Sequence, residues 1–190
     1  MFAKLGARTT LVDVSRRQVT TVRELARRYG VTIRCVRRDM ADLACFPNAA
    51  FDVVWHLHSL VYVRDAARVL WEVGRVLAPG GLYRMTTMHP TTLRLYDSFD
   101  GRGWRPVIPY FEDGPIVDEW RIDGKPVATT IEYGHRIETI VNGIAAAGLV
   151  VDGLWEYTKP DHPYGDDDRD GPLEELFPAY LEVRARKLRP

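Results

Sequence analysis

The 190-residue chain contains only two cysteines, Cys35 and Cys45. They lie ten positions apart with no neighbouring ligand pair, which fits neither a disulfide scaffold nor a zinc motif, so both are expected as buried reduced thiols. Excess charge of either sign is also missing, since 26 basic residues balance 26 acidic ones. Zero formal charge gives no global field to steer nucleic acid or an anionic membrane, and any basic partner surface would have to be local. No run approaches the roughly 18 consecutive apolar residues of a membrane span. The first six residues lack a signal-peptide core, and a cytoplasmic location is the expectation. No internal repeat or low-complexity array is evident. What remains, with 46% hydrophobic residues, is enough for one sizeable core and too short for two full domains, so a single domain over 1–190 is expected.

Hydrophobic periodicity divides the chain into alternating elements. Residues 9–14 (TTLVDV) are β-branched and apolar, as in a strand covered on both faces. Ser15 is a plausible N-cap for a helix through about Tyr29, whose apolar positions Val19, Val22, Leu25 and Ala26 recur at helical spacing and whose end is marked by Gly30. Residues 31–36 predict a second strand and residues 51–56 a third, buried one, after the Phe46-Pro47-Asn48 turn. From Asp65 a spacing of three and four through Ala66, Val69, Leu70, Val73, Val76 and Leu77 predicts a helix ending at Pro79-Gly80-Gly81, with a strand over 82–88. Residues 136–147 predict another helix, residues 149–157 a strand and residues 179–185 a final strand.

Strands alternating with helices predict an α/β fold with a mostly parallel sheet, because parallel neighbours need long crossovers. Between His89 and Thr130 the pattern weakens into an aromatic, proline- and glycine-rich stretch holding Tyr96, Phe99, Trp104, Tyr110, Phe111 and Trp120. That stretch is too apolar for a disordered linker and is expected to cover a site. The acidic loop at 161–171, with His162, reads as a solvated turn rather than a metal site.

Ligands of open α/β sheets bind outside the carboxyl ends of strands. Asp13 occupies that place on the first strand, where a carboxylate can accept both hydroxyls of a ribose or cap the following helix. Asp39 and Met40 follow the second strand. There a carboxylate can accept an exocyclic amine, the Met40 amide can donate to a ring nitrogen, and the thioether can lie against a flat base, with loop capping the alternative.

The run R-D-M-A-D-L-A-C-F-P, then F-D-V-V-W-H-L-H-S-L-V-Y-V-R-D and E-V-G-R-V-L-A-P-G-G, preceded by L-G-A-R-T-T-L-V-D-V-S, resembles the class I S-adenosylmethionine-dependent methyltransferases of the type 11 methyltransferase domain. Similarity continues more loosely through residues 135–156 and the terminal P-A-Y-L-E-V-R-A-R-K. The resemblance implies a Rossmann-like sheet, mostly parallel with an antiparallel final strand. It also implies S-adenosylmethionine as cofactor, with Asp13 and Val14 at the ribose, Asp39 and Met40 at the adenine, and the backbone of His56 and Leu57 near the methionine moiety. It divides the domain into a partial cofactor-binding core (1–88), a cover or acceptor segment (89–130) and a C-terminal helix with strands (131–190). Leu5-Gly6-Ala7 matches the end of the family's first helix, so the family's first strand and its glycine-rich loop would lie before Met1, and an N-terminally incomplete sheet is expected. A start internal to a longer reading frame, a truncated remnant, and another chain filling the gap are the open explanations.

Methyl transfer from a sulfonium needs positioning above all, and a base only when the acceptor must lose a proton. His56, His58 and His89, at two strand ends, are the base candidates, each set against a packed or solvent-facing histidine. The expected acceptor is a small, partly apolar molecule. A homo-oligomer or a chain completing the sheet are the protein partners to be considered; nucleic acid, membrane and metal are not expected. Two other readings stay open: a noncatalytic methyltransferase-like interaction protein, and a nicotinamide-dependent oxidoreductase, since an acidic residue ending a strand also binds that ribose.

Overall fold

The computed structural model describes residues 1–95, 98–123, 125–158 and 173–189, with the side chains of Arg121, Glu174 and Glu175 set aside. They fall into two compact units, Met1–Pro47 and Asn48–Pro190. The acidic loop at 161–171 and Tyr96 lie outside the described residues.

In the first unit, β1 (Thr9–Asp13) leads into α1 (Arg16–Arg28), which returns to β2 (Ile33–Arg37). Ser15 caps α1, its hydroxyl accepting from the Gln18 amide at 3.3 Å. Such a cap satisfies a donor that the first helical turn leaves without a partner. The strands pair in parallel from Thr9 opposite Ile33 to Asp13 opposite Arg37. Val19 and Ala26 turn inward from α1. With one helix and two strands to pack, β1 is half-buried along its length rather than covered on both faces, and Val14 is exposed. The cysteines differ from expectation too: Cys35 on β2 is half-buried and Cys45 is exposed. Cys45 sits in a turn whose inward positions are taken by Leu43 and Phe46.

The second unit holds β3 (Phe51–Leu57), α2 (Ala66–Val76), β4 (Leu77–Met88), the short α3 (Pro90–Leu93), β5 (Pro115–Ile122), β6 (Lys125–Tyr133), α4 (Ile137–Ala146), β7 (Leu149–Tyr157), the short α5 (Leu173–Leu176) and β8 (Tyr180–Lys187). Four strands form one sheet in the order β3-β4-β8-β7. β3 and β4 are parallel, while β8 runs antiparallel between β4 and β7, as expected of the final strand. Asp65 caps α2 through the Arg68 amide at 3.0 Å. The other end of α2 is capped from 110 residues away, where the Lys187 ammonium donates to the carbonyls of Gly74 (2.7 Å) and Leu77 (2.9 Å). A cation at a helix C-terminus satisfies orphan carbonyls and complements the helix dipole.

β4 begins at Leu77, directly after α2, rather than at Leu82. The Pro79-Gly80-Gly81 turn lies within the strand, where the β3–β4 register slips between Phe51 and Val53. Gly80 takes a φ of 78°, in the left-handed region. The core lies on one face of this sheet, where Tyr83, Met85, Leu181 and Val183 are fully buried together with Leu70 of α2 and Ile140 and Ile144 of α4. Gly74 has no side chain because a Cβ there would collide with the Ala147 carbonyl, which lets α2 and α4 approach. β3 is not the buried strand expected. Among the described residues it pairs with β4 on one side only, and Val53, Trp55 and Leu57 are exposed.

The largest departure is at 115–133. The segment expected to be an irregular cover contains a regular antiparallel hairpin, β5–β6, from Pro115 opposite Tyr133 to Ile122 opposite Lys125. Asp123 at its tip has φ 49°. None of the described helices is long and apolar enough to cross a membrane.

Candidate functional site

At the carboxyl end of the two-stranded sheet, parallel pairing places Asp13 and Asp39 at the same end, with the Arg38 amide donating to the Asp13 carbonyl at 3.2 Å. Each carboxylate is half committed. Oδ1 of Asp13 accepts from the Ser15 amide at 2.7 Å, and Oδ1 of Asp39 accepts from the Ala41 amide at 2.8 Å. These Asx-type turns fix both side chains and leave each second oxygen without a partner among the described residues. The capping alternative and the ligand role are therefore compatible at both positions. Val14 and Met40 follow in the same two loops, Val14 holding Nε of Arg37 through its carbonyl at 3.1 Å.

The four-stranded sheet places the three candidate histidines differently. His56 turns into the core, where Nδ1 is 3.1 Å from the Tyr83 hydroxyl and Nε2 is buried without a partner. Burial lowers its pKa to about 4, so the imidazole is neutral and enclosed. What His56 presents at the strand end is backbone, while the neighbouring Leu57 is exposed. His89 caps α3: Nδ1 accepts from the Thr91 amide at 3.3 Å and Nε2 donates to Oε1 of Glu156 at 2.8 Å. With both ring nitrogens engaged, His89 ties β4, α3 and β7 together. His58 stands just past β3 with φ 50°, its amide donating to the Thr86 carbonyl at 2.8 Å and its ring edge against Tyr180 at 4.8 Å. Tyr157, whose phenol is held above its ordinary pKa by burial, lies against the same Tyr180. His58, Tyr180, Tyr157 and the His89–Glu156 pair thus share the carboxyl end of β3 and β4.

The aromatic segment does not converge on one place. Phe99 packs against Trp104 at a tilt, their ring centres 4.9 Å apart, Tyr110 meets Phe111 edge-on, Phe111 itself is 78% exposed, and Trp120 lies exposed on β5. Beyond β4 lies a small aliphatic core cluster instead, with Val61, Leu93 and Ile116 buried together and Met88 and Ile108 packed against them. Beside it Glu132 is buried and hydrogen-bonded to Tyr62. Burial first, and the charge of Asp118 second, push its carboxyl above the usual range, while burial and Glu132 push the Tyr62 phenol up. Sequence reading missed this pair, because the Glu132 carboxylate becomes buried only when the hairpin folds. The Asp123-Gly124 dipeptide between two alternating runs was the available hairpin signal.

The pair of acceptors at Asp13 and Asp39 fits an adenosine. Two fixed carboxylate oxygens face the strand ends, suited to hydroxyl and amine donors, and no cation competes for them at ion-pair distance among the described residues. Residues 1–85 match the sequence model of the methyltransferase domain. An uncharacterized methyltransferase of Bacillus subtilis (strain 168), YbaJ, is 31% identical over 161 residues, which cover 82% of this chain and 62% of that protein. The methyltransferase GfsG of Streptomyces halstedii is 38% identical over 80 residues, covering 41% of this chain and 28% of that protein. The chain thus spans under two thirds of the length of the curated relatives it matches. The crystal structure of an S-adenosylmethionine-dependent methyltransferase from Mesorhizobium loti superimposes with a TM-score of 0.71 at 25% identity, covering 94% of this chain and 80% of that one. Over residues 1–85 the chain thus matches the methyltransferase domain, and its fold is that of the class I S-adenosylmethionine-dependent methyltransferases, whose cofactor is S-adenosylmethionine.

Proposed function

We propose that the protein transfers a methyl group from S-adenosylmethionine to a small, partly apolar acceptor. The observation that carries this reading is the pair of half-committed carboxylates, Asp13 and Asp39, at one end of two parallel strands within the residues that match the methyltransferase domain. Asp13, beside Val14, is assigned the ribose, Asp39 and Met40 the adenine, and the backbone of His56 and Leu57 the methionine moiety. When bound, the cofactor supplies an electrophilic methyl group on a sulfonium.

The residues of the chain bind, orient and exclude water. The aliphatic cluster of Val61, Leu93 and Ile116 supports an apolar acceptor. Of the three histidines, His58 has its ring at the strand end, against Tyr180. It is assigned the proton of an acceptor that must lose one. Calorimetric titration with S-adenosylhomocysteine tests the reading. The folded protein should bind it, and Asp13→Asn should weaken binding at least about tenfold, or about 1.4 kcal/mol. Absence of binding by folded protein would overturn it.

A second reading, a noncatalytic methyltransferase-like interaction protein, is favoured by the one-sided pairing of β3 and the exposure of Val53, Trp55 and Leu57 along it. A strand at the edge of a sheet is a template for another strand. A self-associating protein that ignores S-adenosylhomocysteine would favour this alternative.

A further inference from the structure

Arg94 lies just past α3 and is 3% exposed. Its guanidinium is held rigidly. Nη1 donates to the Pro90 carbonyl at 2.9 Å, Nη2 donates to the Gly134 carbonyl, and the plane lies over the Tyr110 ring at 5.1 Å. Gly134 is a glycine of necessity, because a Cβ there would occupy the place of Nη1. Two carbonyls and a ring face are dipolar partners, and among the described residues Arg94 forms no ion pair with a carboxylate. Nε is buried with no partner. A buried guanidinium compensated only by dipoles is costly, and buried charges are ordinarily paired.

A second guanidinium adds to that cost. Arg136 stands at the N-cap position of α4, two residues beyond Gly134, its Nη1 pairs with Glu138 at 2.6 Å, and its own Nε is buried without a partner. The two arginines act on each other as like charges, and desolvation with that repulsion lowers the Arg94 pKa against the opposing fields of Tyr110 and Asp113. Asp113 is exposed and makes no ion pair with either arginine. His135 lies between them in sequence, its Nε2 2.8 Å from the Val63 carbonyl. The Tyr110 hydroxyl, under the Arg94 guanidinium, accepts from the Ile137 amide at 3.3 Å, so the amino-terminal turn of the ten-residue α4 adjoins the same group. Two guanidinium donors without partners and the amino-terminal turn of α4 thus lie in one neighbourhood, where no counter-charge among the described residues stands within ion-pair reach of Arg94.

We infer that Arg94 and Arg136 form a subsite for an oxyanion, a carboxylate or a phosphate, whose oxygens take the two Nε donors. Arg suits this role because its planar fork matches such groups and keeps its charge. The subsite follows β4 and α3 in the unit that holds the aliphatic cluster. Assigning the anion to the methyl acceptor rests on the methyltransferase reading, and makes that acceptor an acid with an apolar body. The subsite itself does not depend on the reading.

Thermal melting and calorimetric titration of the ligand-free protein test it, with inorganic phosphate in one arm, benzoate in a second, and sodium chloride at matched ionic strength as control. Saturable stabilisation beyond chloride is expected in at least one arm, and the arm that responds distinguishes phosphate from carboxylate. Arg136→Gln should weaken that binding at least about tenfold while leaving the Arg94 tie intact. Arg94→Gln should abolish it and also lower the melting temperature. Equal responses to phosphate, benzoate and chloride, unchanged by Arg136→Gln, would overturn the inference and leave Arg94 a structural clamp. Titration with S-adenosylhomocysteine on the same samples separates the two ideas: binding of the nucleoside without the anion removes the subsite alone, and the converse removes the methyltransferase reading alone.

Discussion

The two faces of the four-stranded sheet are built from the same strands by opposite means. On one, Tyr83, Met85, Leu181 and Val183 are sealed beneath α2 and α4. On the other, Trp55 pairs in register with Arg84, and Arg84 with Arg184. Trp55 and Trp155 remain 42% and 43% exposed, each under a guanidinium, Arg84 at 5.1 Å and Arg184 at 5.4 Å. Carboxylates complete the layer, Glu182 holding Nε of Arg84 at 2.8 Å and Asp152 holding Arg184 and Arg186 at 2.7 and 2.8 Å. An arginine covers an aromatic face with its stem and plane while its charge stays hydrated, so this face can remain in water. The lesson is that the stability of the second unit is concentrated on one side of its sheet, and its polar chemistry on the other side and at the strand ends.

That contrast can be broken from the packed side first. Leu70→Ala should cost about 2–5 kcal/mol in urea denaturation, because Leu70 is fully buried between α2 and α4 and the hole cannot close. A loss under 1 kcal/mol would show that the helices are not locked onto the sheet. The next effect is pH-dependent. His56 is neutral in the folded protein, with its pKa lowered by burial to about 4 against an ordinary value of 6.5. Between those values the unfolded chain binds the proton and the native one does not. Stability is therefore full above about pH 6.5, falls as the pH drops toward 4, and levels below it, a loss of roughly 3 kcal/mol. Replacing His56 with Leu should remove that part of the slope, as urea midpoints across pH 4–7 will show; an unchanged slope would place the titration elsewhere. The smallest effect belongs to the open face. Arg84→Met should change stability by no more than about 1 kcal/mol, since the pair with Glu182 and the stack on Trp55 are partly solvated. A larger loss would mean that this face is as rigid as the packed one.

The fold was legible where local rules decide it. Ser15 and Asp65 announce their helices because a short oxygen-bearing side chain at that place satisfies an orphan amide. β8 announces itself by the alternation of Leu181, Val183 and Ala185 with Glu182, Arg184 and Arg186, and β7 by its β-branched and aromatic residues after Gly148. Legibility failed at 77–88, where strand pairing extends β4 back through a proline-glycine turn, and at 115–133, where residues on both faces of the hairpin are polar enough to hide the alternation. At the candidate site, Asp13 and Asp39 were readable as strand-end carboxylates. The differing fates of His56, His58 and His89 were not, because each depends on which side of a sheet or helix its ring falls.

The chain's own order of residues therefore determines its elements, their caps and the two carboxylates at the strand ends, since these follow from periodicity and from hydrogen bonds spanning two or three residues. Only the tertiary structure decides that His56 is a neutral core residue, that His89 is bound at both nitrogens, and that Arg94 rests on Gly134, forty residues away, with no counter-charge at ion-pair distance among the described residues. Burial and long-range juxtaposition set the charge state and reach of a polar group, and neither is encoded in its immediate neighbours.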